Sequence, residues 1–225
     1  MTKAAEPIVI TVDGTSSVSG LWQRAARAKG CYVMAHGAGA GMRHPFLESL
    51  ASELAVLGIE SLRYQFPYME RGSKRPDPPK LCHATVRAAV AEAARRTPLP
   101  LVAGGRSFGG RMTSQAQAES PVPGVRGLVF LAFPLHPAKQ PASDRGQHLF
   151  DVRVPMLFLQ GTRDELAEMS LLEPLAAELG KRATLKLFES ADHSFHVPAR
   201  SGRTDAEVLS EIAATVAAWT EQTSI

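Results

Sequence analysis

Two hydrophobic periods alternate along this chain, and that alternation limits the fold more than any other feature. Short β-rich runs occupy residues 7–12, 17–24, 31–35, 59–64, 99–103, 125–131, 154–160 and 183–188. Helix-like stretches lie between most of them, at 45–57, 81–96, 110–119, 170–179 and 205–220. In the first of these, Phe46, Leu47, Leu50, Ala51, Leu54 and Leu57 recur at helical spacing. Asp13-Gly14 separates the first two runs and reads as a hairpin turn. After that hairpin, strand and helix alternate to the end, which implies βαβ units. The expected architecture is α/β: one domain over residues 1–225, with a mostly parallel central sheet and helices on both faces.

Composition excludes several alternatives. With 44% hydrophobic and 21% charged residues, the chain can bury a core and is not disordered. A net charge of +3 over 225 residues is too mild to call for a nucleic-acid partner. Cys31 and Cys82 form no C-x-x-C pair, so neither a disulfide framework nor a cysteine zinc site is expected. The N-terminal residues lack a secretory apolar core, and no apolar run approaches the length of a membrane helix. A cytoplasmic protein, monomeric or homodimeric, with no membrane partner is the expectation. The stretch RGSKRPDPPK at 71–80 reads as a surface loop rather than a basic patch.

The chemistry concentrates at GGRSFGGRM, residues 104–112. It follows the apolar run LPLVA and opens a helix-like segment, the setting in which G-x-S-x-G has mechanical meaning. A serine on so tight a turn needs neighbours without Cβ atoms. Ser107 would then stand at the sheet's C-terminal edge, at a helix N-terminus that favours negative charge. The same segment nearly matches a phosphate loop, but Arg111 and Met112 stand where Lys and a hydroxyl are required.

HGAGAG at 36–41 follows another apolar run. Its glycines give G-x-G-x-G, which fails the dinucleotide spacing. A sharp turn there can aim an N–H outward as one oxyanion donor, assigned to Ala38, with the Phe108 N–H as the other. An acid and then a base should follow the serine in the chain. Asp164 in GTRDE comes after the run at 154–160, and His193 in ESADHSFHVP comes after the run at 183–188. His196 competes as the base but lies further from the strand end. His44, His136 and His148 fall in loops, and H-E-x-x-H is absent, so no metal site is expected.

With these motifs in hand, the chain resembles the α/β-hydrolase superfamily. It looks closest to small dienelactone-hydrolase-like proteins and the related testis-expressed α/β-hydrolase-like branch. HGAGAGMRHPF, LRYQFPYME, AGGRSFGGRM, FPLHP, FLQGTRDE and ADHSFHVP carry the resemblance, over residues 36–198. It implies Ser107 as nucleophile, Asp164 as acid, His193 as base, and oxyanion donors near Ala38 and Phe108. True dienelactone hydrolases use a cysteine nucleophile, and Ser107 departs from that. The expected activity is hydrolysis of a small-molecule carboxylic ester or related acyl bond, with no metal or organic cofactor. A thioesterase, a lactonase or a non-catalytic interaction module are the alternatives.

About 20 residues separate the runs at 125–131 and 154–160, where this fold commonly inserts a lid. That is too short for a cap domain. An open, shallow cleft is expected, with walls from Met42, Phe66, Tyr68, Phe133 and Leu135.

Overall fold

The computed structural model describes residues 4–14 and 16–223. Its frame is an eight-stranded sheet. The strands are β1 (Glu6–Thr11), β2 (Ser17–Gln23), β3 (Gly30–Ala35), β4 (Ile59–Tyr64), β5 (Leu101–Arg106), β6 (Val125–Leu131), β7 (Met156–Gly161) and β8 (Ala183–Phe188). They lie side by side in the order β1-β2-β4-β3-β5-β6-β7-β8. The opening hairpin pairs antiparallel, and β2 runs antiparallel to β4; every other pairing is parallel. Strands β3, β4, β5 and β7 are buried at every position, as strands covered on both faces must be. β1, with one neighbour, alternates instead.

Helices α1 (Pro45–Val56) and α6 (Asp205–Thr223) cover one face. Leu47, Leu50 and Leu54 of α1 meet Ile212 and Val216 of α6 in that core. The other face carries α3 (Pro79–Arg96), α4 (Phe108–Glu119) and α5 (Met169–Leu179), through Val86, Val90, Met112 and Leu172. Each fully buried Leu, Val or Ile stabilises the fold by roughly 1.5–3 kcal/mol relative to exposure. α1 starts cleanly because the His44 side chain accepts the Phe46 N–H and Pro45 needs no intrahelical partner.

The elements depart from the sequence expectation most clearly in three places. β5 continues to Arg106 instead of ending at residue 103, because Gly104 and Gly105 extend the strand where their type suggests a turn. α4 accordingly begins at Phe108, directly after Ser107. One helical turn, α2 (Pro67–Glu70), is too short for periodicity to register. Within 134–153 there is only a 3₁₀ turn, Asp144–Asp151, packed on α4, and no cap domain covers the sheet among the described residues.

Topology selects the place for a site. From β3 the chain moves to β4 on one side, then crosses back over β3 to β5 on the other. A crevice opens beyond the C-terminal ends of β3 and β5, where the connections diverge. HGAGAG follows β3 and Ser107 follows β5, so both motifs border that crevice.

Candidate active site

Ser107 is held in a conformation that non-glycine residues rarely adopt, at φ 49° and ψ −118°. Its neighbours make the turn possible. A Cβ on Gly105 would meet the Ala35 carbonyl oxygen at 2.2 Å, and one on Gly109 would meet the His36 carbonyl oxygen at 2.5 Å. Glycine at both places lets β5 and α4 approach the end of β3. Ser107 is the N-cap of α4, so the Phe108 N–H has no intrahelical partner. The loop after β3 runs beside the serine: a Cβ on Gly37 would lie 3.9 Å from the Ser107 Cβ, and Ala38 follows on the exposed side.

His36 braces that loop. It is fully buried; its Nδ1 lies 2.8 Å from the Gly37 carbonyl, and its Nε2 lies 3.1 Å from the Phe66 N–H. Those partners assign the proton to Nδ1 and leave Nε2 as acceptor. Burial holds the imidazole down at about 4, so it stays neutral.

The loops after β7 and β8 bring their side chains to the serine. His193 Nε2 stands 2.8 Å from Ser107 Oγ, and His193 Nδ1 stands 2.7 Å from Asp164 Oδ2. The Asp164 side chain is fully shielded from solvent. Its other oxygen accepts the Leu166 N–H at 2.8 Å. Gln160 donates to Oδ2 through Nε2 while its own Oε1 accepts the Phe133 N–H at 2.9 Å. His196, by contrast, is exposed and hydrogen-bonds Asp205, which raises its pKa.

Two polar residues at this site escaped the sequence reading. Gln160 and Arg106 each sit near the end of an otherwise apolar, buried strand. That was the available signal, since a polar group in such a run must find a partner. Arg106 is only 9% exposed and donates to Ser194 Oγ at 3.0 Å.

The expected apolar walls lie elsewhere. Phe66, Tyr68, Phe133 and Leu135 have no exposed surface. Phe66 and Tyr68 turn inward on α2 and pack edge-on against Phe108, while Phe133 joins Phe130 and Phe158 in the core. Met42 is buried too and borders a separate cavity of about 640 Å³ near Ser19, Arg43 and Glu70. A cavity that reaches His193 has a volume of about 350 Å³. Its lining is Ala138, Arg163, Glu165, Leu166, Asp192 and His193. A second hollow of about 420 Å³ shares Arg163 and Glu165 with it. Charged groups therefore share the open surface beside the imidazole with the apolar side chains of Ala138 and Leu166. No group of three or more His, Cys, Asp or Glu side chains converges as a metal site would among the described residues.

A hydroxyl, an imidazole and a shielded carboxylate in one hydrogen-bonded line can move a proton away from the hydroxyl as it attacks an acyl carbon. Sheet order, strained serine turn and strand-end side chains together define an α/β-hydrolase. A family model described as an alpha/beta hydrolase domain matches residues 28–221, and the chain belongs to that family. Solved structures share the fold along its whole length. A dienelactone hydrolase from Anabaena variabilis is 20% identical with a TM-score of 0.77, covering 99% of each chain. A serine hydrolase without lid from Xanthomonas campestris is 18% identical with a TM-score of 0.74, covering 97% of this chain and 96% of its own. A cold-adapted esterase from an Arctic intertidal metagenomic library is 20% identical with a TM-score of 0.66, covering 98% and 94%. Among the described residues, no helix is long and apolar enough to cross a membrane.

Proposed function

We propose that this hydrolase cleaves small carboxylic esters through an acyl-enzyme on Ser107. The observation that carries the reading is the unbroken line from Ser107 Oγ through His193 to Asp164, with contacts of 2.8 and 2.7 Å. His193 Nε2 takes the hydroxyl proton as Oγ bonds to the carbonyl carbon. Asp164 accepts the Nδ1–H bond, keeps the imidazole in the accepting tautomer and stabilises the imidazolium. The carbonyl oxygen becomes an oxyanion facing the N–H groups of Phe108 and Ala38. Loss of one such donor typically raises the barrier by about 3 kcal/mol. When the tetrahedral intermediate collapses, His193 returns the proton to the leaving alcohol and the ester C–O bond breaks. Water then attacks the acyl group with His193 again as base, releasing the acid and restoring Ser107.

Gln160 supports this role for Asp164. Its amide neutralises part of a carboxylate that water does not reach, and it anchors the loop after β6 through Phe133.

The test is turnover of p-nitrophenyl acetate together with fluorophosphonate labelling. Ser107→Ala should lose both while keeping its circular dichroism. His193→Asn should fall to a few per cent or less of wild-type turnover, in line with the usual cost of removing a triad member. His196→Asn should retain most of it. Substantial activity in Ser107→Ala, or an inactive His196→Asn beside an active His193→Asn, would overturn the assignment.

A further inference from the structure

We infer that Arg106 is a positioning residue for this site: it ties the strand end that carries Ser107 to the loop that carries His193. The inference rests on the reading above for its rate measurements and on geometry alone for its spectroscopic one.

A guanidinium is costly to bury unless its donors are matched. Arg106 nevertheless lies against the sheet's C-terminal edge with 9% of its surface exposed. Burial lowers its pKa, and the carboxylates of Asp192 and Asp164 pull it back up. Its charge also reaches His44, whose pKa is lowered first by burial and then by Arg106. The face of the Phe46 ring lies 5.2 Å from its central carbon, and Phe46 stacks in turn on Phe195 of the histidine loop at 5.6 Å. The hydrogen bond from Nη2 goes to Ser194 Oγ, a hydroxyl and not a carboxylate, at 3.0 Å.

The consequence follows from adjacency. Arg106 precedes Ser107, and Ser194 follows His193. The Arg106–Ser194 bond therefore runs beside the Ser107–His193 bond, as two rungs between the same two segments. The histidine loop needs such a tie. Ser190 and Phe195 sit at φ 62° and 61°, a left-handed region that costs energy for residues with a Cβ. Asp192 folds the loop on itself by accepting the N–H groups of Ser194 and His196. Toward β7 it is fixed by Ser190 N–H to Thr162 Oγ1 and by Arg163 N–H to the Ala191 carbonyl. The Arg106 side chain supplies the tie toward β5.

Four variants of the full chain test this: Arg106→Met, Arg106→Lys, Ser194→Ala, and Arg106→Met with Ser194→Ala. Arg106→Met should lose about tenfold or more in kcat with KM changed less than about twofold, because a misplaced base slows turnover without weakening binding. Ser194→Ala should lose less. The double variant should be no slower than Arg106→Met alone, since both remove one rung. Arg106→Lys should recover part of the loss. In proton NMR, the low-field resonance of the His193 Nδ1–H bonded to Asp164 should be sharp in the wild type, broadened in Arg106→Met and partly restored in Arg106→Lys. Losses that multiply in the double variant, or full kcat with an unaltered resonance in Arg106→Met, would overturn the inference. If Arg106→Met fails to fold, Ser194→Ala decides: an unchanged kcat and an unchanged resonance there would also overturn it. A wild type that hydrolyses no ester would defeat the functional reading but leave the resonance to judge the positioning role.

Discussion

At the scale of single residues, the site depends on what is missing as much as on what is present. Gly109 has no side chain because the end of β3 occupies that space, with the His36 carbonyl 2.5 Å from where a Cβ would be. Gly109→Ala must push α4 away from β3. Overpacking of this kind costs about 1–3 kcal/mol, and it should also displace the Phe108 N–H. Urea unfolding should show the lower stability, with kcat falling alongside. Gly37→Ala is the control, since its Cβ would meet nothing nearer than 3.8 Å and stability should hardly change. Sequence made the three hydrogen-bonded side chains legible because Ser107, Asp164 and His193 each follow an apolar run in a fixed order. The supporting residues were harder to see. Gln160, Arg106 and His36 act through partners distant in the chain, at Asp164, Ser194 and Phe66, and one-dimensional spacing does not encode those pairings.

At the scale of elements, the loops decide what can bind. Strand and helix periods are local, so the sheet and its covering helices could be read from the chain to within a few residues. Where a loop's aromatics point is a tertiary outcome. Phe66 and Tyr68 follow a strand end, which suggested cleft walls, but the single turn of α2 rotates both into a cluster with His36 and Phe108. That leaves Arg163, Glu165 and Asp192 around the cavity beside His193. An acyl or alkoxy chain gains about 0.8 kcal/mol per buried CH₂ where an apolar wall exists, and in a hollow of about 350 Å³ only Ala138 and Leu166 offer one. Among p-nitrophenyl esters from acetate to palmitate, the optimum should therefore fall at short acyl chains, around C2 to C6. No rate jump should appear at the micelle threshold. An optimum at C10 or longer, or such a jump, would refute the open-cleft account.

At the scale of the whole molecule, buried imidazoles link folding to acidity. His36 titrates at about 4 because burial penalises its charged form, against an ordinary value of 6.5. His148, only half-buried, is likewise held near 4, first by its partial burial and then by the charge of Arg111. The unfolded chain takes up protons below about pH 6.5 that the folded chain refuses until about pH 4. Stability from these groups is thus complete above the upper value and drains as pH falls through the window. For His36 the loss amounts to about 3 kcal/mol over that range. The His196–Asp205 pair has the opposite dependence for its histidine, whose pKa is raised, but it is exposed and minor. Urea midpoints should be clearly lower at pH 4.5 than at pH 7.5, and His148→Gln should narrow the difference. Equal midpoints at the two pH values would contradict the burial argument. Charging His36 also places a second donor against the Phe66 N–H, so the loop beside Ser107 should loosen first.

The sheet order carries one more consequence. β8 is an outermost strand, attached to β7 alone, and the loop it launches brings His193 to the serine. Five strands of the described sheet precede Ser107 in the chain, yet the hydroxyl meets its imidazole only after β8 has docked. During synthesis a nascent chain would thus carry Ser107 without its imidazole partner until all eight strands had emerged. In the finished protein, a brief detachment of that edge would part the hydroxyl from the imidazole while the remaining strands stayed assembled.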